Sequence, residues 1–141
     1  MDRREFIKGT GAGSALAAVA VAPWSALAAG ARLPGGAGAS VFIVFQAEWP
    51  QAGALARALA QTLAQEGTTH VLRALPARAL GDATRVAALL DDVAGARVIG
   101  VMDDASAVIV QAMAGSRGAG FMEDRRHHFP DVRLVSFVMT V

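Results

Sequence analysis

Apolar residues follow several different rhythms along this chain, and each rhythm predicts an element. Residues 41–45 read V-F-I-V-F without a polar break, the pattern of a strand buried on both faces. Pro50 then stands where a first helical residue would, Leu55, Leu59 and Leu63 recur every four positions, and Gly67 supplies a stop, so a helix is expected there. Residues 70–75, H-V-L-R-A-L, are short, mixed in polarity and closed by Pro76, as suits an edge strand. After a turn around Gly81, Val86, Leu89, Leu90 and Val93 fall at i, i+3, i+4 and i+7, which predicts a second amphipathic helix. Residues 97–102, R-V-I-G-V-M, form another apolar run that ends at Asp103 and Asp104. Residues 105–114 have helical length and a Gly115 stop; the β-branched Val108, Ile109 and Val110 would also suit a longer strand, and helix is the reading adopted. Residues 115–131 are polar and aperiodic and read as a loop. Residues 133–141 alternate, with Val135, Phe137, Met139 and Val141 on one face and Leu134, Ser136, Val138 and Thr140 on the other, which predicts a last strand at an edge.

Strands that alternate with helices pair in parallel through right-handed crossovers. Two doubly buried strands flanked by two mixed ones give the spatial order 2-1-3-4. The expected fold class is therefore α/β, a small flavodoxin-like three-layer sandwich around a four-stranded parallel sheet. Its direction reverses between the first and third strands, where such sheets bind ligands.

The N-terminal segment has a different character. Residues 2–8 read D-R-R-E-F-I-K, residues 9–22 are moderately apolar and rich in Ala and Gly, and Pro23-Trp24-Ser25 leads to Ala26-Leu27-Ala28. These are the charged, apolar and cleavage regions of a signal peptide over residues 1–28. A Gly/Pro/Ala stretch without period makes 29–40 a flexible linker, and 41–141 is left as a single α/β domain of roughly 100 residues. Arg3, Arg4, Phe6 and Lys8 resemble the twin-arginine (Tat) family of export signals, with Ile7 where that pattern has Leu and Asp2 where it has Ser or Thr. The resemblance implies export of an already folded domain to the periplasm, with the twin-arginine translocation machinery as a partner. The apolar stretch falls short of the roughly 20 residues of a membrane span, so membrane attachment is expected only if the segment stays uncleaved. A general secretory signal is the alternative.

Composition then excludes whole classes of function. The chain has no cysteine, which rules out disulfides, thiolate metal sites, iron–sulfur clusters and thioether haem. The signal holds three of the cations and two of the acids, so ten arginines are matched by ten acids downstream. A neutral domain with no interleaving of aromatic residues and arginines gives no electrostatic footprint for nucleic acid. Neither G-x-G-x-x-G nor G-x-x-x-x-G-K-[ST] follows a strand, and no G-x-S-x-G elbow occurs, so no cofactor is evident.

Two constellations carry candidate chemistry. At the reversal point the loop holding Glu48 and Trp49 should meet Asp103 and Asp104, making a ligand crevice whose carboxylates suit a cation. The same aspartates also read as N-caps, Glu48 as a solvated acid and Trp49 as a lid on the core. The second constellation is residues 123–129, E-D-R-R-H-H-F, in which His127 and His128 are candidate metal ligands or bases. Adjacent positions on regular structure point apart, and a solvated loop is the competing reading.

The Glu48-Trp49 loop, the Gly81-Asp82-x-Thr84 step, the Ile99-Gly100 strand end and the polar segment 123–128 resemble a group of uncharacterised small exported bacterial proteins with twin-arginine signals. Met102-Asp103 departs from that pattern, where a Thr would follow the Gly. The expected role is a binding or accessory subunit of a periplasmic complex, with a homo-oligomer or a periplasmic protein as partner. A small metal-assisted or acid/base enzyme with its crevice at the strand carboxyl ends is the alternative.

Overall fold

A computed structural model describes residues 40–141. The expected signal segment, and all of the linker but Ser40, lie outside the described residues. The elements in chain order are β1 (Val41–Gln46), α1 (Pro50–Gln65), β2 (His70–Leu75), α2 (Ala77–Leu80), α3 (Ala83–Asp92), β3 (Arg97–Asp103), α4 (Asp104–Ser116), β4 (Gly120–His128) and β5 (Arg133–Thr140). They build one five-stranded sheet of order β2-β1-β3-β5-β4. No described helix is long and apolar enough to cross a membrane.

The four-stranded parallel, flavodoxin-like sheet expected from the sequence is corrected by this topology. β1 pairs in parallel with β2 and with β3, whereas β5 runs antiparallel to both β3 and β4. The physical reason lies in residues 120–128, read as loop but folded as β4. After β3, α4 returns the chain to the start of the sheet, and β4 sets off in the direction of β3 two strand positions away, leaving a gap. A tight hairpin, closed by the Phe129 amide on the Val132 carbonyl at 2.9 Å, then brings β5 back through the gap. The last strand is thus interior, and β4 takes the edge. A register shift between Phe121 and Glu123 breaks the two-residue period that would have marked β4 as a strand.

Alternation sorts the strand residues into two cores. On one face α1 presses Leu55, Leu59 and Leu63 onto Val41, Ile43, Ile99, Val101, Leu134 and Val138. On the other, α2, α3 and α4 bring Leu80, Val86, Leu90, Ala107 and Val110 onto Val44, Val98, Met102, Val135, Phe137 and Met139. Both faces of β1 and β3 are therefore dry, which explains their unbroken apolar runs. α1 starts with Pro50 at its first turn, and Asp82 caps α3 by accepting the Thr84 and Arg85 amides. Gly100 lets β3 approach β5 closely, because any Cβ there would overlap the ring of Phe137.

Candidate functional site

β1 and β3 are parallel neighbours, so the loops leaving their carboxyl ends start from one place. Gln46, the last residue of β1, donates from Nε2 to Asp103 Oδ2 at 3.0 Å, and the Asp103 amide donates to Gln46 Oε1 at 3.0 Å. The other Asp103 oxygen accepts the Ser106 amide at 2.8 Å and caps α4. Both carboxylate oxygens are thereby committed within the fold. Burial works to raise the pKa of Asp103, but the Ser106 amide, the Gln46 amide group, the Ser106 hydroxyl and the Trp49 indole together outweigh it and hold the carboxyl below its ordinary value. Asp104 lies in the first turn of α4, where a negative charge complements the helix dipole.

The remaining crevice residues divide. Trp49 is half-buried against the α1-side core, beside Phe45 and Phe129. Its Nε1 is buried without a hydrogen-bond partner, though the indole still helps to stabilise the Asp103 charge. Glu48 turns the other way, both of its oxygens lying 2.9 Å from the Ala77 amide at the start of α2. Gln51 Nε2 donates to both oxygens of Asp131 at 2.9 and 3.2 Å, which ties the β4–β5 hairpin loop to the first turn of α1. Asp103 and Trp49 thus come together, while Glu48 and Asp104 serve different helix starts. Gln46 and the Gln51–Asp131 tether were missed from sequence. An isolated glutamine ending an apolar strand was the only signal for the first, and nothing local pointed to the second.

His127 and His128 are consecutive on β4 and so face opposite sides of the sheet. His127 is 6% exposed and aligned with Leu134 on β5, which in turn pairs with Asp103 on β3. Two strand spacings, about 10 Å, separate the backbones of the histidine and the aspartate. His127 Nε2 lies 2.7 Å from Ser136 Oγ. Burial, then the nearby charges of Arg125 and His128, lower its pKa, so the buried ring is held neutral. Ser136 is completely buried, and this Ser–His pair is sealed from any substrate as it stands. His128 is exposed. Among the described residues no group of three or more His, Asp and Glu side chains is placed to hold a metal ion.

Exposed large apolar residues lie at both edges of the sheet, Val71 and Leu72 on β2 being 42% and 40% exposed. Val108 on α4 is 64% exposed, and Phe121 and Met122 on β4 are 47% and 53% exposed. Val108, Gln111 and Gly115 lie three and four residues apart on one face of α4, and a Cβ on Gly115 would sit 3.7 Å from the Phe121 ring. A depression of about 370 Å³ opens among Gln111, Phe121, Met122 and Asp124. Compared with protein-family models and with curated proteins, the chain matches none.

Proposed function

We propose that this chain is an exported, non-enzymatic binding or accessory subunit that works as an assembly of its own copies, joined along β4 and α4. The observation that carries the reading is the pair of exposed apolar side chains Phe121 and Met122 on the unpaired β4 edge, with exposed Val108 on α4. A second copy is favoured as the occupant by the charge order of the strand. Antiparallel pairing of β4 with itself about a two-fold axis at Arg125 sets Asp124 of each copy opposite Arg126 of the other, on the α4 side of the sheet. Arg125 then meets its own copy on the α1 side, a like-charge contact that works against the two Asp124–Arg126 pairs. The export half of the proposal rests on Arg3 and Arg4 and the signal-like regions that follow them.

Sedimentation velocity of the full chain tests the assembly. A dimer or a multiple of it is expected, converting to monomer in Phe121→Asp; a wild-type monomer across the micromolar range sinks the reading. Export is tested separately by fusing residues 1–40 to a reporter that crosses the membrane only when folded. Arg3→Lys with Arg4→Lys is expected to abolish its transport.

A further inference from the structure

With no cysteine in the sequence, every sulfur of this chain belongs to a methionine, and thioethers are its softest nucleophiles. Four of the five methionines lie among the described residues, and three of those are sheltered. Met102 and Met139 are 0% exposed, and Met113 packs against the core that holds them. Met122 is 53% exposed.

The backbone sets its position. β4 pairs Phe121 with Met139 and Glu123 with Val138, so Met122 is the extra residue of the bulge, with no residue opposite it on β5. Released from the strand alternation, its side chain reaches β3, where Arg97 Nη1 lies 2.8 Å from Met122 Sδ. Arg97 is 6% exposed and engaged elsewhere as well, so its guanidinium is an anchored group. A thioether is a weak acceptor for a cation so deeply buried. The oxygen of a sulfoxide is a strong one, and hydrogen bonds from an ionised donor are roughly twice as strong as neutral ones. Oxidation of a methionine usually disrupts its surroundings by placing a polar group among apolar ones. At Met122 a donor for the new oxygen is already in place.

We propose that Met122 is a reversible oxidation site, its thioether converted to a sulfoxide by peroxide and the new oxygen held by Arg97. The sulfur lone pair attacks one oxygen of the peroxide, and the O–O bond breaks as the S–O bond forms. The sulfur-bound oxygen hands its proton to the departing hydroxide, which leaves as water; sulfur is oxidised and peroxide reduced by one electron pair. The reverse step needs a dithiol reductant, which a chain without cysteine draws from another protein. Contact with Arg97 covers one lone pair of the sulfur, so the oxidant meets the other and one sulfoxide epimer forms in excess. Rotation about the soft Cγ–Sδ bond then turns the oxygen onto the guanidinium.

The experiment treats the full chain, isotopically labelled at its methionine methyl groups, with hydrogen peroxide and follows each methyl by NMR. Met122 is expected to convert about tenfold faster than Met102, Met113 and Met139. Digestion with reductases specific for each epimer should find one in clear excess. The side-chain N–H signal of Arg97, alone among the arginines, should move downfield, and the oxidised chain should unfold at a denaturant concentration no lower than the reduced one. Phe121→Asp, run in parallel, removes any shielding of Met122 by a second copy, so the outcome does not depend on the assembly proposed above. Met122→Leu, an exposed change, should abolish both the fast phase and the Arg97 shift. Conversion of Met122 no faster than the other three in both proteins, equal amounts of the two epimers, an unmoved Arg97 signal, or a loss of stability on oxidation would each overturn the proposal.

Discussion

The sheet is built in two ways, and its halves differ in almost every physical respect. In the parallel half, β2, β1 and β3 are joined by helical crossovers, and the two inner strands are apolar on both faces. In the other half, β5 and β4 are joined by a short hairpin, and the outer strand is rich in charge and leaves Phe121 and Met122 exposed, as β2 leaves Val71 and Leu72. The parallel half spends its polar end groups on itself, as in the Gln46–Asp103–Ser106 knot. The antiparallel half keeps a neutral histidine inside and an apolar patch outside. The sheet is open at both edges, β2 and β4, and the β4 edge is the one built by the hairpin added to the parallel scaffold.

The seam between the halves is the place to break them apart. Gly100 on β3 faces Phe137 on β5, and Phe137 is fully buried, so its ring has nowhere to swing. Gly100→Ala is expected to cost about 3 kcal/mol or to prevent folding. Denaturant unfolding measures the loss. Pairing it with Phe137→Leu, which removes the overlapping ring atoms, should recover much of the destabilisation, and a double variant no better than the single one would show that contact at the seam is not the cause.

Within the parallel half the polar knot is next in effect. Asp103→Ala removes the α4 cap and leaves Gln46 without its partner, for an expected loss of about 2 kcal/mol. Asp103→Asn, which can still cap, should lose less. The carboxyl is held below its ordinary value in the folded protein, so its contribution is present above the unfolded pKa and disappears as pH falls through the folded one. The acid limb of the wild-type stability curve should therefore be steeper than that of Asp103→Asn. Equal slopes would mean that the knot is not where acid acts.

The antiparallel half titrates nearer neutrality. His127 is depressed from its ordinary 6.5 by burial, with Arg125 and His128 adding to the effect. The unfolded chain then binds a proton that the folded chain refuses, so stability is complete above pH 6.5 and declines as pH drops from there toward the folded pKa. The groups around the ring are Ser136 on β5, Arg125 and His128 on its own strand, and Asp103 two strands away beyond Leu134. Hydrogen exchange should show β4 and β5 amides opening faster at pH 5.5 than at pH 7.5 while β1 and β2 change little. His127→Gln should flatten that dependence; an unchanged profile in the variant would assign the titration to another group.

The same contrast decides what could be read from the sequence. V-F-I-V-F and R-V-I-G-V-M announced β1 and β3 because strands buried on both faces need no polar positions, and the leucine spacing announced α1. The end-to-end meeting of the Trp49 loop with Asp103 followed from that adjacency. Residues 120–128 announced nothing: the shift at Phe121/Glu123 spoils alternation, and an edge strand satisfies charged side chains with water on either side. Missing that strand also removed the reason for β5 to run antiparallel. The roles of Glu48 and Gln46 depend on atoms brought from 29 and 57 residues away, which no local pattern encodes.

The smallest expected effect on stability is also the most discriminating for function. Phe121 and Met122 stand half open to solvent, so replacing Phe121 by Asp removes little buried area from the isolated domain and should change its stability by no more than about 0.5 kcal/mol. Association is another matter, since the same change puts a carboxylate into an apolar contact and adds a negative charge near Asp124. A variant that unfolds like the wild type at low concentration yet sediments as a monomer separates the two halves cleanly: the parallel half and its seam hold the domain together, and the β4 edge joins one copy to the next. If Phe121→Asp instead destabilises the monomer as much as Asp103→Ala does, the patch belongs to the core of the domain and the assembly needs another surface.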